Sequence, residues 1–273
     1  MIHCPTLAAA LLSAAMAHPV AGDDATAHFL ANEAVLVTAG ETRILFDPLY
    51  IHFNGIQPIP RRIKRRLMAG EDEFEGVDVV FVSHIHDDHF DAEAMLRYMR
   101  RHPAVVLVAP SQARPMMETE RDWDDGLADR IVALPFIVEP MGFVVATPED
   151  PRALVIEAVY VPHAGGSNWA SVQNMVYRVT LNGEITVMHL GDATPDEAIY
   201  ETHQEHFQAV RTDHAFPPFW LVTEWGGDVL RERINAESLT GIHLGPFPPV
   251  AVRASDEDFF TEPGETRDLH AHE

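Results

Sequence analysis

Nine residues, Ser83-His84-Ile85-His86-Asp87-Asp88-His89-Phe90-Asp91, constrain this chain more than any other stretch. Their H-x-H-x-D-H spacing places His84, His86, Asp88 and His89, all able to bind a metal, within six positions. Just upstream, VDVVFV (Val77–Val82) is a near-continuous apolar run of strand length and β-branched character. Just downstream, Asp91 is placed to cap a helix through AEAMLRYMRR, with Arg100 and Arg101 suiting its C-terminal end and Pro103 beyond. The cluster therefore sits on a strand-to-helix loop. Alternate side chains of an extended segment share a face, so His84, His86 and Asp88 converge while His89 turns away as the helix begins. Three imidazoles and a carboxylate with no packing role point to a divalent cation.

Further ligands are available downstream. LVIEAVYVP (Leu154–Pro162) reads as a strand that delivers His163, followed by the flexible Ala164-Gly165-Gly166-Ser167. VYRVTL and EITVMHL flank Asn182-Gly183, a hairpin signal because both central positions of a type I′ turn need positive φ. The second arm ends in Gly191-Asp192, and LTGIHL (Leu239–Leu244) is a strand-like run carrying His243. Metal-competent groups at the ends of several strands imply one site at one edge of a sheet.

On these residues, taken in order, the chain resembles the metallo-β-lactamase superfamily. The match comprises the H-x-H-x-D-H loop, the lone His163, the Gly-Asp at Asp192, the final His243 and an early strand pair ending in ETRILFDP with Asp47, and it spans roughly Phe29 to Pro248. The resemblance implies an α/β fold: a four-layer αβ/βα sandwich with two central mixed β-sheets and a dinuclear site at their edge. It implies that His84, His86 and His163 hold one ion, that Asp88, His89 and His243 hold a second, and that Asp192 bridges them. Asp47 and His189 are expected to support these ligands from behind. Imidazoles and carboxylates suit Zn2+, two per subunit, with manganese or iron remaining open. Relatives with a di-iron centre place a carboxylate where His86 stands, and the lactam-hydrolysing subgroup with a cysteine ligand has no counterpart here.

The activity implied is hydrolysis by a metal-bound hydroxide, acting on an ester, lactone or phosphodiester, with Asp88 orienting the nucleophile. The branch most resembled contains the ascorbate-6-phosphate lactonase-like zinc-dependent hydrolases and the N-acylphosphatidylethanolamine phosphodiesterase. Hydrolysis of β-lactams or acyl-homoserine lactones is the alternative enzyme, and a non-enzymatic secreted protein binding metal or a partner is the third reading. No G-x-S-x-G nucleophile elbow is present.

Composition sets outer bounds on function. With 19 basic against 42 acidic residues the net charge is −23, a balance that repels nucleic acid and leaves a small-molecule or lipid-like substrate. The basic run Arg61-Arg62-Ile63-Lys64-Arg65-Arg66 reads as the solvated face of a short helix after Pro60, or else as an anion contact near the site mouth. Residues 1–22, with the apolar TLAAALLSAAMA and an A-x-A at Ala15-Met16-Ala17, read as a signal peptide for periplasmic or secreted destination; the sole cysteine, Cys4, lies within it. That stretch is too short for a membrane span, which needs about 20 apolar residues. Residues 23–254 are expected to form the hydrolase domain, and 255–273 an acidic, loosely ordered tail in which His270 and His272 face solvent. The sequence leaves the oligomeric state open.

Four smaller expectations follow. Phe219 to Val222 read as strand core, and Trp225 as a candidate pocket wall. His203 and His206 read as an exposed pair on one helix face. His189 is expected to be a core or supporting residue rather than a ligand. The segments Tyr50–Arg66 and Pro110–Asp129 are expected to rim the site.

Overall fold

The computed structural model describes residues 25–145 and 154–272. In chain order the elements are β1 (Ala25–Ala31), β2 (Ala34–Ala39), β3 (Thr42–Phe46), α1 (Arg61–Ala69), β4 (Val79–Phe81), α2 (Ala92–Arg101), β5 (Val106–Pro110), α3 (Ala113–Glu118), β6 (Ile131–Leu134), β7 (Met141–Val145) and β8 (Leu154–Tyr160). They continue with β9 (Met175–Leu181), β10 (Ile185–His189), α4 (Glu197–Thr202), α5 (Gln204–Ala209), β11 (Thr212–Phe216), α6 (Phe219–Trp225), α7 (Gly227–Ile234), β12 (Ala236–Leu239), α8 (Val250–Arg253) and β13 (Thr266–Leu269). The segment read as a signal peptide lies outside the described residues. Among those residues, no helix is long and apolar enough to cross a membrane.

Two mixed sheets form the centre. The seven-stranded sheet runs β13-β1-β2-β3-β4-β5-β6 and the six-stranded sheet β12-β11-β10-β9-β8-β7. Phe29, Phe46 and Phe81 from the first sheet pack with Tyr177 and Phe216 from the second, filling the space between them. On the first sheet's outer face, α1, α2 and α3 bury Ile63, Leu67, Met95, Leu96 and Met117. On the second's, α4 to α7 bury Tyr200, Phe207, Leu221 and Leu230. The result is the expected αβ/βα sandwich.

Local chemistry explains the elements that carry the site. β4 is buried on both faces because helices cover one side and the second sheet the other, so its sequence is uninterrupted valine and phenylalanine. α2 begins where Asp91 accepts a hydrogen bond from the Ala94 amide (2.9 Å) and ends with Arg100 and Arg101. The β9–β10 hairpin turns on Asn182 and Gly183, both at positive φ. β3 runs parallel to β4, and β10 parallel to β11, while β8 and β10 each run antiparallel to β9. Consequently β3, β4, β8 and β10 all end at the same edge of the sandwich, and the loops that follow them meet there.

Several expectations need correction. The tail is part of the fold: β13 pairs antiparallel with β1, and Phe260 stacks on Phe29 with ring centroids 4.9 Å apart. Its charges read as disorder because this is an edge strand, whose polar side chains face water while two phenylalanines anchor it. His272 also pairs with the buried Asp213. Phe219–Val222 belong to helix α6, not a strand; Pro218 starts it, and a short apolar run carries no periodicity to separate the two. Trp225 packs edge-on against Tyr200, away from the site. His203 is buried at the junction of α4 and α5, and His206 sits beside Glu157, so they are not an exposed pair. α1 forms as expected, with Arg66 paired to Glu73.

Candidate metal centre

The Ser83–Asp91 loop leaves β4 and places His84, His86, Asp88 and His89 at the shared edge. His163 follows β8 and Asp192 follows β10; their segments bridge at His163↔Ala193. His243 arrives after β12, not on a strand as LTGIHL suggested but in a left-handed conformation (φ 63°). The structure thus brings all seven residues expected as ligands together.

Glycine at 191 makes this closure possible. Its φ is +53°, and a Cβ there would lie 2.6 Å from Ser83 Cβ and 2.5 Å from Asn174 Oδ1. Asn174 Oδ1 accepts from the Asp192 amide at 3.0 Å, while the Met175 amide and the Tyr177 hydroxyl donate to the carbonyls of Ser83 and Val82, both at 2.8 Å. These bonds stitch the two sheets together under the cluster.

Donor atoms converge in two groups around one carboxylate. His84 Nε2 lies 3.1 Å from His86 Nδ1, and His163 Nε2 lies 3.2 Å from Asp192 Oδ2. On the other side, His89 Nε2 and His243 Nε2 lie 3.3 and 3.2 Å from Asp192 Oδ1, and 3.8 and 3.6 Å from Asp88 Oδ2. A tetrahedral ion with bonds of about 2.0–2.1 Å holds its ligand atoms roughly 3.3 Å apart. Asp192 offers one oxygen to each group.

The outward-facing ring nitrogens fix which atoms face inward. His89 Nδ1 donates to Asp47 Oδ2 (2.8 Å), and His163 Nδ1 donates to the Ala164 carbonyl. Ser83 Oγ donates to Asp47 Oδ2 and lies 3.1 Å from His84 Nδ1, which donates to it. With Nδ1 acting as the donor, each of these rings turns Nε2 toward the centre. Among the described residues, the buried Nε2 atoms of His89, His163 and His243, together with Asp192 Oδ1, have no hydrogen-bond partner. These inward-facing nitrogens and the carboxylate oxygen make a donor set that fits a cation taking the place of their protons.

The electrostatics divide the same way. Burial holds His84 and His86 below the usual histidine range, with His89 and His163 respectively adding to the effect. Burial opposes protonation of His89 and His243 too, but Asp192 together with Asp47 at His89, and together with Asp88 and Glu33 at His243, outweighs it, lifting His89 well up and His243 to about 9. Asp192 is held well below the usual carboxylate range: its burial acts the other way and is overcome by His243 and His89.

Asp47 lies behind the donors, and His189 lies deeper, against Glu33 and Phe46. Asp47 (φ 43°) accepts from the Ser83 amide at 2.7 Å besides Ser83 Oγ and His89. His189 is buried and stacked on Phe46 at 4.8 Å. Four contributors were not anticipated. Asn32 and Glu33 interrupt the apolar FLANEAVLV at the β1–β2 turn, and Glu33 is fully buried near Asp192 and His243. Trp220 donates to the Ala193 carbonyl and lies edge-on to His243 at 5.0 Å. Trp169 lies edge-on to His86 at 4.5 Å. A polar pair inside an apolar run was a visible signal for the first two; the tryptophans carry none.

An open cavity of about 450 Å³ leads to the cluster, lined by Phe53, Ile85, His86, Asp88, His163 and Trp169, with Asp87 and Asp192. Phe53 belongs to the expected Tyr50–Arg66 rim, but nothing from α1 or from Pro110–Asp129 lines the cavity. There Gln112 braces the Ser171–Gln173 backbone instead.

Comparison with known proteins bears on this site. A family described as the beta-lactamase superfamily domain matches residues 26–210. No curated protein matches the sequence. Among solved structures, a metallo hydrolase from Ignicoccus hospitalis is similar at 15% identity and a TM-score of 0.60, covering 91% of this chain and 100% of that one. An isothiocyanate hydrolase from Delia radicum gut bacteria is similar at 15% identity and 0.58, covering 90% and 100%. CmlA, a diiron beta-hydroxylase from Streptomyces venezuelae, is similar at 15% identity and 0.50, covering 86% of this chain and 47% of that one. These likenesses are of fold.

Proposed function

This chain belongs to the beta-lactamase superfamily, and from that premise we propose that it is a metal-dependent hydrolase of neutral esters or lactones bearing an apolar group. The observation that carries the reading is the inward-facing, partnerless donor set, paired through the two oxygens of Asp192. His84, His86 and His163 would hold one cation, a nitrogen-rich set that suits zinc. Asp88, His89 and His243 would hold a second, with Asp192 shared. Bound there, a pair of divalent cations supplies Lewis acidity toward a substrate oxygen and makes water far more acidic.

The remaining work belongs to the side chains. Asp88 reaches both the cavity and the second group, and its carboxyl is held below the usual range: burial opposes this, and the nearby His243 and His89 together overcome it. It is therefore ionised at neutral pH, positioned to orient the attacking water and accept its proton at Oδ2. Phe53 and Trp169 offer apolar faces at the mouth, each about half exposed. Among the described residues, no arginine or lysine lines the cavity. An anionic phosphodiester would find no side-chain partner there, whereas an acyl chain or lactone ring would bury apolar area on both walls.

A substrate panel tests this reading. Lactones and acyl esters of increasing chain length should be hydrolysed with kcat/KM rising with length, and bis-aryl phosphodiesters should be poorer. Activity on phosphodiesters alone would overturn the substrate class, and inactivity of the metal-loaded protein across the panel would overturn the hydrolase reading.

A further inference from the structure

Glu33 is fully buried at the β1–β2 turn, and neither of its carboxylate oxygens has a hydrogen-bond partner among the described residues. His189 lies beside it, with Nε2 3.3 Å from Glu33 Oε2 and 3.1 Å from the Glu33 carbonyl. Since the Gly191 amide donates to His189 Nδ1 (3.3 Å), Nε2 carries the hydrogen, and the carbonyl takes it. A carboxyl in such a place is costly unless something satisfies it. Sharing a proton with another carboxylate requires a contact of about 2.5–2.7 Å, and neither Glu33 oxygen nor Asp192 Oδ1 has one.

The surroundings show where this carboxylate is directed. Donor atoms of Glu33, Asp192 and His243 all lie within 4.8 Å of one another. The turn that carries it is tied to the same place twice: the Asn32 carbonyl accepts from the His243 amide (2.9 Å), and Asn32 Nδ2 donates to the Asp88 carbonyl (3.0 Å). Asn32 itself has φ 54°, a conformation asparagine tolerates better than most residues. The turn therefore holds two residues of the second group and inserts a third carboxyl beside them.

We propose that Glu33 supplies a further oxygen ligand to the Asp88–His89–His243 position, which makes that position accept a harder cation such as Mn2+ as well as zinc. With Glu33 the donors there are two imidazoles and three carboxylates, against three imidazoles and one carboxylate oxygen at the other position. Oxygen-rich, higher-coordinate sets suit Mn2+, and imidazole-rich tetrahedral ones suit zinc. The inference rests on the two-cation reading above.

The test titrates metal-stripped full-length protein with Zn2+ and Mn2+ separately, reading stoichiometry and affinity by calorimetry and the Mn2+ environment by electron paramagnetic resonance. Wild type should bind two zinc ions, and the position that also takes Mn2+ should be the second. Glu33→Gln should keep the first ion, weaken Mn2+ at the second by at least about tenfold, and cost zinc there less. If Glu33→Gln fails to fold, Glu33→Asp, which keeps the charge but withdraws it, should weaken Mn2+ in the same sense. Two ions in wild type with Mn2+ affinity unchanged in the variant would overturn the role of Glu33 alone. A single ion in wild type would overturn the two-cation reading and this inference with it.

Discussion

The half of the cluster formed by His84, His86 and His163 opens onto the cavity, with Trp169 edge-on to His86 and tilted against His163. The half formed by Asp88, His89 and His243 is backed instead by Asp47, Ser83, Asn32, Glu33 and Trp220. Nitrogen donors dominate the first and carboxylates the second, and the protonation preferences of their histidines diverge accordingly: down at His84 and His86, up at His89 and His243. One half is shaped by substrate access, the other by bracing from the sheet ends. On the two-cation proposal, the two positions should therefore differ in affinity, in preference and in what each loses when its surroundings are altered.

The strongest way to break the distinction is to remove what the halves share. Asp192→Ala should weaken both ions by more than about 100-fold, beyond the range for residues that only support ligands, and abolish turnover. Metal analysis after gel filtration checks it; loss of one ion alone would show that Asp192 serves a single position. Next in size, His163→Ala and His243→Ala should each remove one ion and leave the other, a separation that mass spectrometry of the native protein resolves.

Milder changes sharpen the contrast. Asp47→Asn removes the acceptor for His89 Nδ1 and for Ser83 Oγ. It should weaken the second ion by about 10- to 100-fold and the first less, since His84 is reached only through Ser83. Equal losses at both positions would contradict this. The smallest effect belongs to the mouth: Trp169→Ala should raise KM for long-chain substrates by about 5- to 20-fold, the loss of one apolar wall, with metal content unchanged.

What the sequence disclosed and what it hid divide along similar lines. His84, His86, Asp88 and His89 were legible because a local spacing has few other uses, and His163, Asp192 and His243 because each ends a recognisable strand or strand-like run. Asp47 was legible from its place after ILF. Glu33 left a trace, a polar pair inside FLANEAVLV, but its role was hidden because its partners lie far away in sequence: His189 is 156 residues on. Trp169 and Trp220 were hidden for the same reason, since the loops that bring them to the site obey no period. The C-terminal strand was misread because its charges describe the face turned to water, while Phe259 and Phe260 fix its position.

Anomalous diffraction from crystals of the metal-loaded protein, collected at the zinc and manganese edges, tests the central claim most directly. The account predicts two peaks per chain about 3.5–4 Å apart, one against His84, His86 and His163 and one against Asp88, His89 and His243, with Asp192 between. A single peak after saturation, or His163 and His243 turned away from the loop, would contradict it.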